Sequence, residues 1–156
     1  MIIVSATLLH LVSEDPYFSP LPAVSEAAFA LLRRLVPGAS GGHEVREFAG
    51  VAFIDPGGNW SGVRCPECAS DVEDWWVGAM ERAAGADGFF GSLAVMTPCC
   101  SASTDLNALD YVEAAGFARY GLVVTDPERE LPLASADVRA LGGVLGTDLR
   151  QVIARY

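Results

Sequence analysis

Lysine is absent from this chain of 156 residues, and all ten of its basic residues are arginines. Twenty acidic residues oppose them, giving a formal net charge of −10 at pH 7. Such a surface repels a phosphate backbone, and no basic patch interrupts it. Nucleic acid and anionic membrane are therefore poor partners on bulk electrostatics. The missing lysine, beside abundant Ala, Gly and Arg, hints at a GC-rich bacterial genome. Several catalytic signatures are missing too: there is no P-loop, no Gly-x-Gly-x-x-Gly after a strand, and no Gly-x-Ser-x-Gly elbow.

No hydrophobic run is long enough to span a bilayer. The apolar start from Met1 to Val12 lacks a positive leader region and is followed at once by Ser13-Glu14-Asp15-Pro16. A buried first strand is the expectation there, in a cytoplasmic protein whose thiols stay reduced. Internal repeats, low-complexity tracts and linkers are not evident, so residues 1–156 are expected to form one domain. At 51% hydrophobic residues, the chain can bury an ordinary globular core and is not disordered.

What is present, and sparse, is cysteine. The four cysteines fall in two tight pairs, Cys65-Pro66-Glu67-Cys68 and Cys99-Cys100 after Pro98. Four thiolates in two local pairs can close a tetrahedral shell around Zn²⁺, and the first pair has the spacing of a zinc-knuckle turn. The adjacent pair needs a turn to converge on one metal, because neighbouring side chains in an extended strand point to opposite faces. Pro98 and the run Ser101–Thr104 supply one. Two disulfides, free buried thiols and a redox switch are the competing readings. Disulfides fit a reducing compartment poorly, and a vicinal one would be strained. Cys65, Cys68, Cys99 and Cys100 are thus the candidate metal ligands.

Hydrophobic periodicity outlines the elements. Residues 2–11 read as a buried strand. Pro22 opens a helix to about Val36, stopped by Pro37-Gly38. Strands are expected over His43–Phe48 and Val51–Ile54, joined as a hairpin at Ala49-Gly50. Asp55–Gly62 is a loop. Ser70 and Glu73 have capping-box spacing for a helix from Asp71, with Val72, Trp75, Trp76, Ala79, Met80 and Ala83 inward. Phe89–Met96 reads as a strand. Ser103 or Thr104 caps a short helix through Leu106, Leu109 and Tyr111. A strand follows over Phe117–Val124, then a helix from Ser135 through Leu145. A last helix carries Leu149, Val152, Ile153 and Tyr156. The order β-α-β-β-α-β over the first hundred residues predicts an α+β fold with a split-βαβ, ferredoxin-like sheet. Its zinc-bearing loops lie at one edge, and the further strand and helices are C-terminal.

Among other polar residues, His10 and His43 are expected at ordinary strand positions, since four cysteines already fill a structural zinc shell. Asp71, Glu73 and Asp74 suit a helix start. Asp55-Pro56-Gly57-Gly58-Asn59 lacks the acidic ladder of a calcium loop. Trp75-Trp76 and the terminal apolar stripe suggest surface for a homodimer.

The cysteines and their loops resemble the zinc-knuckle and zinc-ribbon sites of many unrelated bacterial proteins, and that resemblance implies a metal but no activity. A second resemblance is to zinc-dependent nucleobase deaminases, which use His- or Cys-x-Glu and then Pro-Cys-x-x-Cys, each opening a helix. Cys65-Pro66-Glu67 fits the first half and Pro98-Cys99 starts the second, with Glu67 implied as proton shuttle on a zinc-bound water. Ala102 stands where that pattern wants a cysteine, Cys100 is adjacent to Cys99 instead, and Cys68 is extra. The readings in order are a non-catalytic zinc-binding interaction module, a zinc hydrolase of deaminase type, and a thiol redox sensor.

Overall fold

The computed structural model describes residues 5–156, and positions 2–4 of the expected first strand lie outside the described residues. The chain forms a mixed α/β structure around one four-stranded antiparallel sheet. Its strands are β1 (Thr7–Ser13), β2 (His43–Ile54), β7 (Gly116–Thr125) and β8 (Leu149–Arg155), in spatial order β2-β7-β1-β8. Helix α1 (Pro22–Leu35) links β1 to β2, and α3 (Ser135–Leu145) links β7 to β8. Because every neighbouring pair is antiparallel, β1 and β2 run the same way with β7 between them. Likewise, β7 and β8 run the same way with β1 between them.

Both helices lie on one face of this sheet. Ala28 and Leu32 of α1 and Leu141 and Leu145 of α3 pack with Leu9, Leu11, Tyr120, Leu122 and Val124 from the strands. The alternation of a strand sends Leu8, His10 and Val12 to the other face. There Val12 packs with Ile54, Ala118 and Val152. The buried Tyr120 hydroxyl is satisfied by Ser25 Oγ at 2.8 Å. Thus α1 turns Ser25 inward as well as its apolar residues.

Between β2 and β7 the chain leaves the sheet. This excursion contains β3 (Val63–Arg64), α2 (Glu73–Ala83), β4 (Ala94–Met96), β5 (Ser103–Asp105), a short 3₁₀ turn over Leu106–Ala108, and β6 (Asp110–Tyr111). β3 pairs with β6 and β4 with β5, each as a separate two-stranded ribbon. It has its own core of Val63, Val72, Ala79, Leu93, Leu106 and Leu109, which abuts Val51 and Phe117 of the sheet strands. Aromatic rings fill the junction: Trp60 stacks on Trp76 at 4.7 Å, and Phe53 meets Phe117 at 5.2 Å. Trp76 Nε1 donates to Tyr111 Oη at 3.1 Å, and that hydroxyl donates to Leu106 O at 2.7 Å. Arg150 of β8 fastens the excursion from the other side. It pairs with Glu14 at 2.6 Å and donates to the carbonyls of Asn107 and Ala115 at 3.2 and 2.8 Å.

Several expectations are corrected. The expected third strand, Val51–Ile54, is the second half of β2, and the expected second helix and fourth strand, from Asp71 to Met96, lie outside the main sheet; β7 and β8 take the places given to the third and fourth strands. The Ala49-Gly50 hairpin is instead an irregularity within one long strand, with the register to β7 shifting between Glu47 and Ala52. A two-residue hairpin turn of the favoured kind needs positive φ, and neither residue has it. Ten-residue β7 offers a partner to both halves, so β2 continues past the bulge. The terminal helix is strand β8, paired with β1 from Thr7↔Arg155 to Ser13↔Leu149. Leu149 and Ile153 face the helices, whereas Val152 and Ala154 face away, so burial on both sides hides the period of two. Phe89–Met96 is strand only from Ala94, with Gly91 just upstream. The expected helix through Leu106 and Tyr111 is β5, the 3₁₀ turn and β6, the turn capped by Asp105 Oδ1 accepting from Ala108 N at 2.9 Å. Ser70 does not cap α2; Asp71 Oδ1 accepts from Glu73 N at 2.9 Å instead. Among the described residues, no helix is long and apolar enough to cross a membrane.

His10 sits at the centre of β1, 6% exposed, with Nε2 lacking a hydrogen-bond partner. Burial, aided by the charge of Arg46, lowers its pKa from 6.5 to about 4. The unfolded chain therefore binds a proton more readily than the fold does. The resulting stabilisation is complete above pH 6.5 and is lost as pH falls through about 4. Its full size is about 3 kcal/mol. Urea titrations across this range are expected to show His10→Leu with a flatter acid limb than the parent. An unchanged limb would contradict the assignment.

Candidate metal centre

Two hairpins build the site. In the first, β3 leads into Cys65-Pro66-Glu67-Cys68, and Ala69 turns the chain back. Cys65 N donates to Ser70 O at 2.9 Å, Ala69 N donates to Cys65 O at 3.0 Å, and Arg64 bridges Asp71. Ala69 takes a left-handed φ of 62°. In the second, β4 leads into Thr97-Pro98-Cys99-Cys100, and Ser101 turns the chain back into β5. Thr97 N donates to Ala102 O at 3.0 Å, Ser101 N donates to Thr97 O at 3.0 Å, and Met96 pairs with Ser103. Ser101 has a left-handed φ of 56°. The proline fixes the φ of its turn position in each, and the left-handed residue reverses the chain.

These tips bring all four candidate ligands together. The Sγ atoms of Cys65, Cys68, Cys99 and Cys100 all lie within 4.8 Å of one another. Cys65 Sγ is 3.7 Å from Cys100 Sγ, and Cys68 Sγ is 3.2 Å from Cys99 Sγ. A tetrahedral zinc with bonds of about 2.3 Å requires sulfurs about 3.8 Å apart, so the donor set fits such an ion after shifts of some tenths of an ångström. Cys65 is buried at the base, and the other three are exposed.

The turns also set the thiols' acidity. The backbone N–H of Cys68, then the Thr97 hydroxyl and the Glu67 N–H, lower the Cys65 pKa to about 6 against the opposing effect of desolvation. The Ser70 hydroxyl and backbone N–H likewise hold Cys68 below its usual value. Cys99 is pushed up to about 11, first by its hydrogen bond with Cys68. Amides aimed at two of the sulfurs favour the thiolate form that a metal ligand needs.

The remaining candidates lie elsewhere. His10 is in the sheet, and His43 Nε2 donates to Val36 O at 2.6 Å. Neither histidine belongs to the cysteine cluster. Glu67 is exposed at its hairpin tip. Each half of the deaminase pattern should open a helix. Here Cys65–Cys68 opens a hairpin return, with α2 beginning only at Glu73, and Cys99-Cys100 leads into β5. Trp75 and Trp76 both pack partly buried against the excursion's core.

Thr97 is the residue the sequence reading passed over. It is 1% exposed, and its Oγ1 lies 3.6 Å from both Cys65 Sγ and Cys100 Sγ. The signal was a short internal repeat: Val63-Arg64-Cys65-Pro66-Glu67-Cys68 against Val95-Met96-Thr97-Pro98-Cys99-Cys100, offset by 32 residues.

Ala69 and Ser101 occupy a conformation that disfavours a Cβ by about 1 kcal/mol or more. Glycine there relieves that strain but loses more backbone entropy on folding. Ala69→Gly and Ser101→Gly are each expected to stabilise the protein by about 0.5 kcal/mol, read by thermal melting. A drop in melting temperature for both would show that the left-handed turn is not what strains these hairpins. Compared with protein-family models, with curated proteins and with solved structures, the chain finds no match in any of the three.

Proposed function

We propose that the four thiolates hold one zinc ion as a structural staple, and that the chain is a non-catalytic interaction module of a reducing, cytoplasmic environment. One observation carries the reading: two hairpins distant in sequence aim four sulfurs at one point within 4.8 Å. Ribbons as short as β3–β6 and β4–β5 are marginal on their own. When bound, a structural zinc contributes folding energy, on the order of 10 kcal/mol in small peptides. Four thiolates also complete a tetrahedral shell, leaving no position for the water that hydrolysis needs.

The surrounding frame supports a scaffold role. We read β1-α1-β2 and β7-α3-β8 as two interlocked split β-α-β units, a ferredoxin-like sheet carrying the cysteine-bearing excursion between its second and third strands. The strand order β2-β7-β1-β8 supports that reading. Zinc is preferred over other metals on the softness of the all-sulfur donor set.

Elemental analysis of the reduced protein is expected to give one zinc per chain. Cys100→Ser should lose it and melt about 10 °C lower or more, because a broken shell forfeits several kcal/mol. Glu67→Gln should keep both metal and melting temperature. A zinc-free parent with four titratable native thiols would defeat the reading. Deamination of any nucleobase by the parent, abolished by Glu67→Gln, would replace it with the hydrolase.

A further inference from the structure

The two hairpins are the same structure, yet they do not present the same ligands. The backbone hydrogen bonds that close one turn have counterparts 32 residues later in the other. The inward hydrogen bond, the return bond of the left-handed residue and the flanking strand pair all correspond. Burial corresponds as well: Cys65 and Thr97 are each 1% exposed, while Cys68 and Cys100 are exposed. Cys68 is thereby equivalent to Cys100, and Cys65 to Thr97. Cys99 is equivalent to Glu67.

We infer that Thr97 occupies a vacated ligand position, and that Cys99 is a relocated ligand reaching the metal from the tip of the same turn. This rests on the zinc reading of the four thiolates. The side chain of Thr97 points where a ligand would, with Oγ1 at 3.6 Å from two of the sulfurs. A neutral hydroxyl is a poor donor for a soft thiolate site. Thr97 therefore acts as a positioning residue: its Oγ1 accepts from Ala102 N at 3.2 Å and lies against the sulfurs of Cys65 and Cys100. Cys99 supplies the fourth sulfur from the third position of the turn, 3.2 Å from Cys68 Sγ. The shell is thus three sulfurs in regular hairpin positions plus one displaced and exposed.

The inference implies that the shell can be moved back. Cys99→Ser alone should lose zinc. The double variant Thr97→Cys/Cys99→Ser places sulfurs at matching positions of both hairpins, and should recover one zinc per chain with the parent's cobalt(II) thiolate charge-transfer spectrum. Thr97→Cys alone adds a fifth thiol without removing a ligand. Loaded with zinc, it should keep the ion while one cysteine becomes at least tenfold more reactive to iodoacetamide, and peptide mass mapping should identify it as Cys99. A double variant that folds by circular dichroism yet holds no zinc, while the parent holds one, overturns the equivalence. So does alkylation of the introduced thiol with Cys99 protected. A parent that binds no zinc overturns the zinc reading and this inference together, so the two failures are told apart.

Discussion

The convergence of two hairpin tips on one point is the constraint on which the excursion depends. Neither hairpin is long enough to persist alone: one is closed by the Arg64–Asp71 bridge and the other by three residue pairs of β4 and β5. Their tips place three exposed cysteines and one buried one within a single cluster. Four sulfurs so close are a poor arrangement for free thiolates, because like charges at short range repel and each raises the cost of ionising the next. The Cys68 N–H lowers the Cys65 thiol and the Ser70 hydroxyl lowers that of Cys68, whereas the hydrogen bond with Cys68 raises Cys99. Four sulfurs gathered in this way could hold a metal ion.

At the other end of the excursion, packing takes over from coordination. Trp60, Trp76, Phe53, Tyr111 and Phe117 form a continuous aromatic junction between excursion and sheet. Their polar atoms are satisfied within the junction, Trp60 Nε1 by Glu73 at 2.6 Å and Trp76 Nε1 by Tyr111. Arg150 and Asn107 close the opposite side. Asn107 accepts from Phe117 N at 3.0 Å and donates to Glu14 O at 3.1 Å. The cysteine hairpins thus project from a base that is anchored to the last strand and to the two strands flanking the excursion.

The sheet is continuous because its edges are set by long partners. β7 supports both halves of β2 and Leu8–Val12 of β1, while β8 pairs along the whole of β1, so a bulge in β2 costs little pairing. The excursion leaves between β2 and β7 without interrupting the order of the other strands. A site can therefore be elaborated at one end while the helical layer and its core stay unchanged.

How much of this was written in the sequence varies with the range of the physics. Proline and glycine punctuation placed α1 and the end of α3, because those residues fix or free φ locally. The spacing of Cys65-Pro66-Glu67-Cys68 and Cys99-Cys100 named the four cysteines that cluster, because a tight turn is also a local object. Sheet membership was not local. β8 was mistaken for a helix because its apolar residues fall on both faces, and Val51–Ile54 and Phe89–Met96 were given places in the sheet that β7 and β8 hold. Which strands pair depends on partners about a hundred residues apart in the chain, and no periodicity encodes a partner. The sequence alone thus determined the turns and the thiol set. The tertiary structure decided that the two turns face each other, and that Thr97 rather than a cysteine stands opposite Cys65, because only pairing and packing bring those positions together.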